Sequence, residues 1–256
     1  MREVFQSSEE RIHEIKNMPC GTKGKWPGAL RSFSGRLRWH CHFIQKLEDE
    51  PRIEFENMHP AYDGLRESDF NEAYYAAWQA GKTGYPMVDA CMRMLTATGW
   101  LNFRMRAMLM SFASYHLWLH WRKPALHLAR LFTGYERASI TAKLKCNRVP
   151  QASTAFVDPD GTFIREWVPE LAGMQQEFIH TPWKAPSQMN DYPIPVVDEK
   201  TARKAAAEKL YRLRKNTAHK EIARKIFNKH GSRKSGLPGT GWRKKSKNNS
   251  QGELPL

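Results

Sequence analysis

Apolar residues recur at helical spacing along most of this 256-residue chain, and runs of alternating β-branched residues are scarce, so the pattern predicts helices and disfavours strands. Val4, Phe5, Ile12 and Ile15 mark a helix over 3–16, stopped by Pro19, Gly21 and Gly24. A second helix is expected from Ala29 to about Leu47, with Leu30, Phe33, Leu37, Phe43, Ile44 and Leu47 on its buried side and Pro51 as its breaker. Residues 51–68 read as irregular, and 69–79 as a helix closed by Gly81. Pro86 opens the next helix from a first-turn position, and Gly99 interrupts it. From Leu101 to Trp121 nearly every face is apolar (Met105, Met108, Leu109, Phe112, Leu117, Trp118), which predicts one central helix packed on several sides.

Beyond the turn signal Asp158-Pro159-Asp160-Gly161, residues 163–171 predict a short amphipathic helix and 180–197 a proline-rich extended run. Residues 199–230 predict a long helix that is basic on one side. The fold class expected is all-α.

Composition sharpens this picture. Hydrophobic content of 41% suits a globular core, and 41 Lys+Arg against 26 Asp+Glu gives a net charge of +15, which favours a polyanion such as DNA as partner. Residues 231–256 carry Arg233, Lys234, Arg243, Lys244, Lys245 and Lys247 among Gly, Ser and Asn, the composition of a disordered basic tail. Cys20, Cys41, Cys91 and Cys146 form no CxxC pair, so neither a metal site nor a disulfide framework is expected. With no signal peptide and no run long enough for a membrane span, the reading is a cytoplasmic monomer without metal or membrane contact.

Several motifs carry chemistry. Gly81-Lys82-Thr83-Gly84-Tyr85-Pro86-Met87-Val88-Asp89-Ala90-Cys91-Met92-Arg93 is followed by Thr98-Gly99-Trp100-Leu101-Asn102-Phe103-Arg104-Met105-Arg106 and then Leu119-His120-Trp121-Arg122. The run from Asp158 to Leu171, His180-Thr181-Pro182-Trp183 and Asp191-Tyr192-Pro193 follow in order. Together these resemble the helical FAD-binding domain of the photolyase/cryptochrome family. The resemblance implies FAD as cofactor, DNA as partner, and light-driven electron transfer from reduced FAD for pyrimidine-dimer repair. It implies Arg106 beside the flavin ring and Glu136 as an acid of the adjoining loop. It also makes Trp121 an electron-transfer tryptophan, and Trp39 and Arg104 DNA contacts. The competing readings are a cryptochrome-like blue-light sensor and a non-enzymatic nucleic-acid-binding module.

The chain departs from the family pattern at several places. Phe103 stands for an asparagine, Arg36 for a lesion-pocket glutamate, Gly134 for the acid that partners the flavin-side arginine, and Ser68 near an outer tryptophan. Residues 137–154, RASITAKLKCNRVPQAST, do not resemble the family. One branch reads PGIHYSQxQMQSGTTGIN there. Written in plausible codons with Ala at the variable position, and with its first nucleotide deleted, that text rereads as the observed run. A frameshift after Glu136, regained before Asp158, is the expectation, and it puts Leu144 near the place of a ring-proximal redox residue. The phosphate-binding opening of the domain would precede Arg2, so the copy is expected to be truncated and its hold on FAD weakened. The expected division is 1–200 as a partial FAD-binding domain with 137–157 altered, 201–230 as a basic helical extension, and 231–256 as the tail.

Overall fold

The structure is a computed structural model that describes residues 2–19, 24, 26–133 and 158–230; for Arg2, Arg38, Trp39 and His40 only the backbone is described. Among the described residues there are helices and no strands. They are α1 (Arg2–Asn17), α2 (Trp26–Asp49), α3 (Glu72–Gln79), α4 (Pro86–Thr98), α5 (Phe103–Ser111), α6 (Arg122–Leu131), α7 (Thr162–Trp167), α8 (Glu199–Lys215) and α9 (Thr217–His230).

The main core gathers Trp78, Met92, Leu95, Leu109, Leu119, Leu128, Ile164 and Leu171, all but removed from solvent. α4 lies at its centre and packs on α3, α5 and α7. Its ends follow from sequence: Pro86 needs no N–H in the first turn, and Gly99 takes the left-handed conformation (φ 68°) that closes the last one. α1 lies against α2 through buried Ile15 and a Ser8–Ser34 hydroxyl pair at 3.0 Å.

Two expectations of long helices are corrected. The 101–121 stretch is buried as expected but not one rod. α5 ends at Ser111, a π-helical turn spans Phe112–His116, and Trp118 adopts a left-handed backbone (φ 54°) before α6 begins. The extra residue in the turn and the reversal at Trp118 redirect the chain without exposing its apolar side chains. Trp118 is held between two cations, Arg66 at 4.3 Å and Lys209 at 4.5 Å from its ring centroid. The 199–230 helix breaks at Asn216, whose side chain accepts from the Ala218 N–H and so starts α9. α8 reaches back onto the π turn, where Ala206 and Leu210 meet Tyr115 in a small second core.

The other differences are local. α7 stops at Trp167 because Pro169 forces Val168 out of the helical region. The 180–197 run contains two proline-led 3-10 turns, Pro182–Lys184 and Pro186–Gln188.

Candidate functional site: the face of α5 and α6

One buried carboxylate fixes the entry to α4. Asp89 is fully buried and accepts from the Thr83 N–H (2.8 Å), the Thr83 hydroxyl (2.7 Å), the Gly84 N–H (3.0 Å) and the Tyr192 hydroxyl (2.5 Å). Burial pushes its pKa up, while these four donors pull the other way. Gly84 (φ 79°) admits the backbone of Ile194, since a Cβ there would stand 2.5 Å from that carbonyl. One turn further along the same face of α4, Arg93 grips Glu170 with two hydrogen bonds of 2.7 and 3.0 Å and donates from Nε to the Gly81 carbonyl. These clasps set the angle between α4, α7 and the 190–197 run, and with it the platform under α5.

Arg106 lies on α5, half-buried. Its Nε donates to the Leu101 carbonyl at 2.6 Å and its guanidinium stands 4.2 Å from the centroid of Phe132. Burial lowers its pKa. Among the described residues no carboxylate comes within ion-pair range of it. Thr133, next to Phe132, is tied back to Gly99 by N–H···O at 3.1 Å. Glu136, Gly134 and Leu144 lie outside the described residues, as does the whole 137–157 stretch.

Trp121 caps the start of α6 and is 9% exposed. Its indole N–H donates to Asn57 Oδ1 at 2.9 Å, and Asn57 Nδ2 donates in turn to Asp63 Oδ1 at 2.8 Å. Arg122 lies 5.4 Å from the ring centroid of Phe55, so the same 55–63 loop is fastened twice to the start of α6. Arg104 is exposed on α5. At the N-terminus of that helix Phe103, 51% exposed, carries Arg36 of α2 over its ring at 5.1 Å. Trp39 sits one helical turn beyond Arg36 on α2, and its side chain lies outside the described residues. The structure therefore puts Arg104 and Arg106 on α5 and Trp121 at the start of α6, while Trp39 is on α2. The contacts of Asn57 and Phe132 escaped the sequence reading, because neither residue type in an irregular segment signals its partner.

The arrangement of helices and motifs is matched in known proteins. A sequence profile for the FAD binding domain of DNA photolyase covers residues 33–212. The chain belongs to this family. A deoxyribodipyrimidine photo-lyase of Streptomyces griseus is 34% identical over 212 residues, which cover 77% of this chain and 44% of that protein. Cryptochrome-2 of Arabidopsis thaliana is 37% identical over 162 residues, 55% of this chain and 26% of that protein.

Among solved structures, the archaeal photolyase of Sulfolobus tokodaii with two FAD molecules superposes with a TM-score of 0.66 at 28% identity, covering 75% of this chain and 45% of that one. A bacterial class III photolyase of Agrobacterium tumefaciens gives the same TM-score at 26% identity, over 80% of this chain and 46% of that one. The chain thus spans less than half the length of these relatives. FAD is the cofactor of this photolyase/cryptochrome domain, and the all-α architecture is that of the family. No described helix is long and apolar enough to cross a membrane, and no cluster among the described residues could hold a metal ion.

The residues present suit the flavin in one respect that can be read directly. A half-buried guanidinium with one N–H spent on a carbonyl, and no described carboxylate within reach, is the donor an anionic ring requires.

Proposed function

We propose that this chain is the FAD-binding part of a photolyase/cryptochrome-type flavoprotein, and the observation that carries this reading is Arg106. A cation taken partly out of water needs an anion, and its place on α5 matches the family position beside the flavin ring. When bound, FAD would supply light absorption and the electron that splits a pyrimidine dimer in DNA. Arg106 would then stabilise negative charge on the ring, and Glu136 matches an acid of the family's adjoining loop. Trp121 is buried, with its N–H held by Asn57, as an electron-transfer residue whose orientation must stay fixed. Arg104, exposed on α5, and Trp39, at the family's lesion-pocket position on α2, are the nucleic-acid contacts this reading assigns. In the sequence match Leu144 falls near the place of a ring-proximal redox residue, and leucine cannot relay an electron, so repair by this copy is low or absent.

We propose residues 1–200 as the partial FAD-binding domain, 201–230 as a basic extension and 231–256 as a basic tail, the whole working as a cytoplasmic monomer. Purified protein decides the flavin reading. Retained FAD, seen in visible absorbance at a definite stoichiometry and lost in Arg106→Leu, supports it; protein that takes up no FAD when reconstituted sinks it.

A second reading, nucleic-acid binding without flavin chemistry, is favoured by a specific pair. Arg36 over half-exposed Phe103 presents a cation and an aromatic face, which read phosphate and stacked bases but no particular lesion. Lesion-independent binding with a steep salt dependence, undiminished in flavin-free protein, would support it.

A further inference from the structure

A groove of about 630 Å³ opens between the 60–65 turn and the elbow where α8 meets α9. Leu65, Leu213 and Ile222 make its floor, and Lys209, Arg212 and His219 stand along it. No acidic residue lines it. The walls are fixed on both sides: the ring of His219 stacks on His59 at 4.0 Å between centroids, and its Nε2 meets the Tyr62 hydroxyl at 3.3 Å. Lys209 is shared with Asp69 at 3.6 Å, whereas Arg212 has no carboxylate within ion-pair range among the described residues. Around the groove, α8 carries seven Lys or Arg and α9 carries four, against three Glu on the two helices together.

We infer that this groove is a docking site for an acidic amphipathic helical segment of a protein partner. The argument is complementarity of two kinds. An aliphatic floor between two helices takes the apolar face of a third, in the helix-in-groove manner, and cationic walls meet carboxylates on that helix's flanks. No Phe, Tyr or Trp is among the lining residues and the His219 ring is stacked on His59, which argues against nucleic acid as the occupant. The chain's own 231–256 segment is the wrong sign, with six Lys or Arg and one Glu. The α8 and α9 walls lie outside the residues matched to flavin and DNA, while the 60–65 wall continues the loop that holds Trp121.

The test uses the full chain and a fluorescent helical peptide of about 18 residues, with Leu at i, i+3, i+4 and i+7 and Glu on the flanks. Anisotropy should report saturable binding, weakened about tenfold or more by Arg212→Glu and by Ile222→Glu. Arg224→Glu, the same charge change on α9 outside the groove lining, should leave it nearly unchanged. Thermal unfolding of each variant separates loss of the groove from loss of the fold, and Arg212, being exposed, is the variant least able to unfold the chain. The inference is overturned if Arg224→Glu weakens binding as much as Arg212→Glu, or if a Leu→Gln peptide binds equally well. Displacement by a single-stranded oligonucleotide without preference for the peptide would overturn it too, making the surface a general phosphate binder.

Discussion

Replacing Asp89 tests whether the entry to α4 organises the domain. Asp89→Ala removes the acceptor for two backbone N–H groups, one Thr hydroxyl and one Tyr hydroxyl, at a position with no solvent exposure. Each buried donor left without a partner costs about 1–3 kcal/mol, and relaxation around a small cavity returns part of it. The expected loss is about 3–5 kcal/mol, a large share of the roughly 5–15 kcal/mol that hold a typical domain together. Asp89→Asn keeps the shape but turns an amide N–H₂ toward two of the four donors, whichever way it is flipped, for a loss of about 1–3 kcal/mol. Tyr192→Phe leaves the carboxylate with three donors, and about 1–2 kcal/mol is expected. Urea unfolding followed by helical circular dichroism gives these values, and the double variant Asp89→Asn/Tyr192→Phe should fall short of additivity because the two groups share one hydrogen bond. A loss under about 1 kcal/mol in Asp89→Ala would refute the reasoning, since four buried donors could not then depend on this carboxylate.

Gly84→Ala should destabilise by about 2 kcal/mol or more, read from the same unfolding curves, because its backbone is left-handed and a Cβ would meet the Ile194 carbonyl at 2.5 Å. Glu50 is ringed by Arg52, Lys229 and His230; burial opposes its charge, but hydrogen bonds from His230 and Lys229 and the charges of Arg52 and Lys229 hold its pKa down at about 2. Its folded pKa lies below the ordinary 4.5, so its contribution is complete above pH 4.5 and is lost as pH falls toward 2. Protection of α9 amides against hydrogen exchange, relative to the unstructured rate at each pH, should fall over that window, and Glu50→Gln should show the lower protection already at pH 7. Glu170→Gln removes the charge from the Arg93 grip and should lower stability by about 1–2 kcal/mol, measured by the thermal midpoint; an unchanged midpoint would mean the pair is merely surface decoration.

How much of this was legible in the sequence depends on how far apart the partners lie. α4 could be placed because its signals are local: Pro86 at its start, Gly99 at its end, and an apolar face that repeats between them. The 101–121 stretch showed its burial but hid its break, since a chain apolar on all sides looks alike whether it runs straight or turns at a left-handed Trp118. Asn216 was overlooked inside an otherwise unbroken basic helix, although a side chain that caps its own backbone is a local signal. The hold of Asn57 on Trp121 and the stacking of Arg106 on Phe132 were not legible, because they join residues that only tertiary packing brings together. The family motifs supply the proposed site residues by position alone. They said nothing of what now stands beside Arg106.

The clasp of Thr133 to Gly99 has a counterpart at Asp158, whose carboxylate receives the Phe163 and Ile164 N–H groups at 3.2 and 3.1 Å and whose carbonyl meets His180 at 2.9 Å. Residues 134–157 therefore enter and leave the domain through two anchored posts, each secured by residues outside the segment. Loop closure between fixed ends depends only weakly on what the loop contains or how long it is. A gene can thus rewrite the text between the posts, as a shifted reading frame would, while the posts keep the anchors that tie them to Gly99, α7 and His180. Heritable damage of that kind would fall between two anchors and leave both standing, and with them a scaffold available for selection to use in another way.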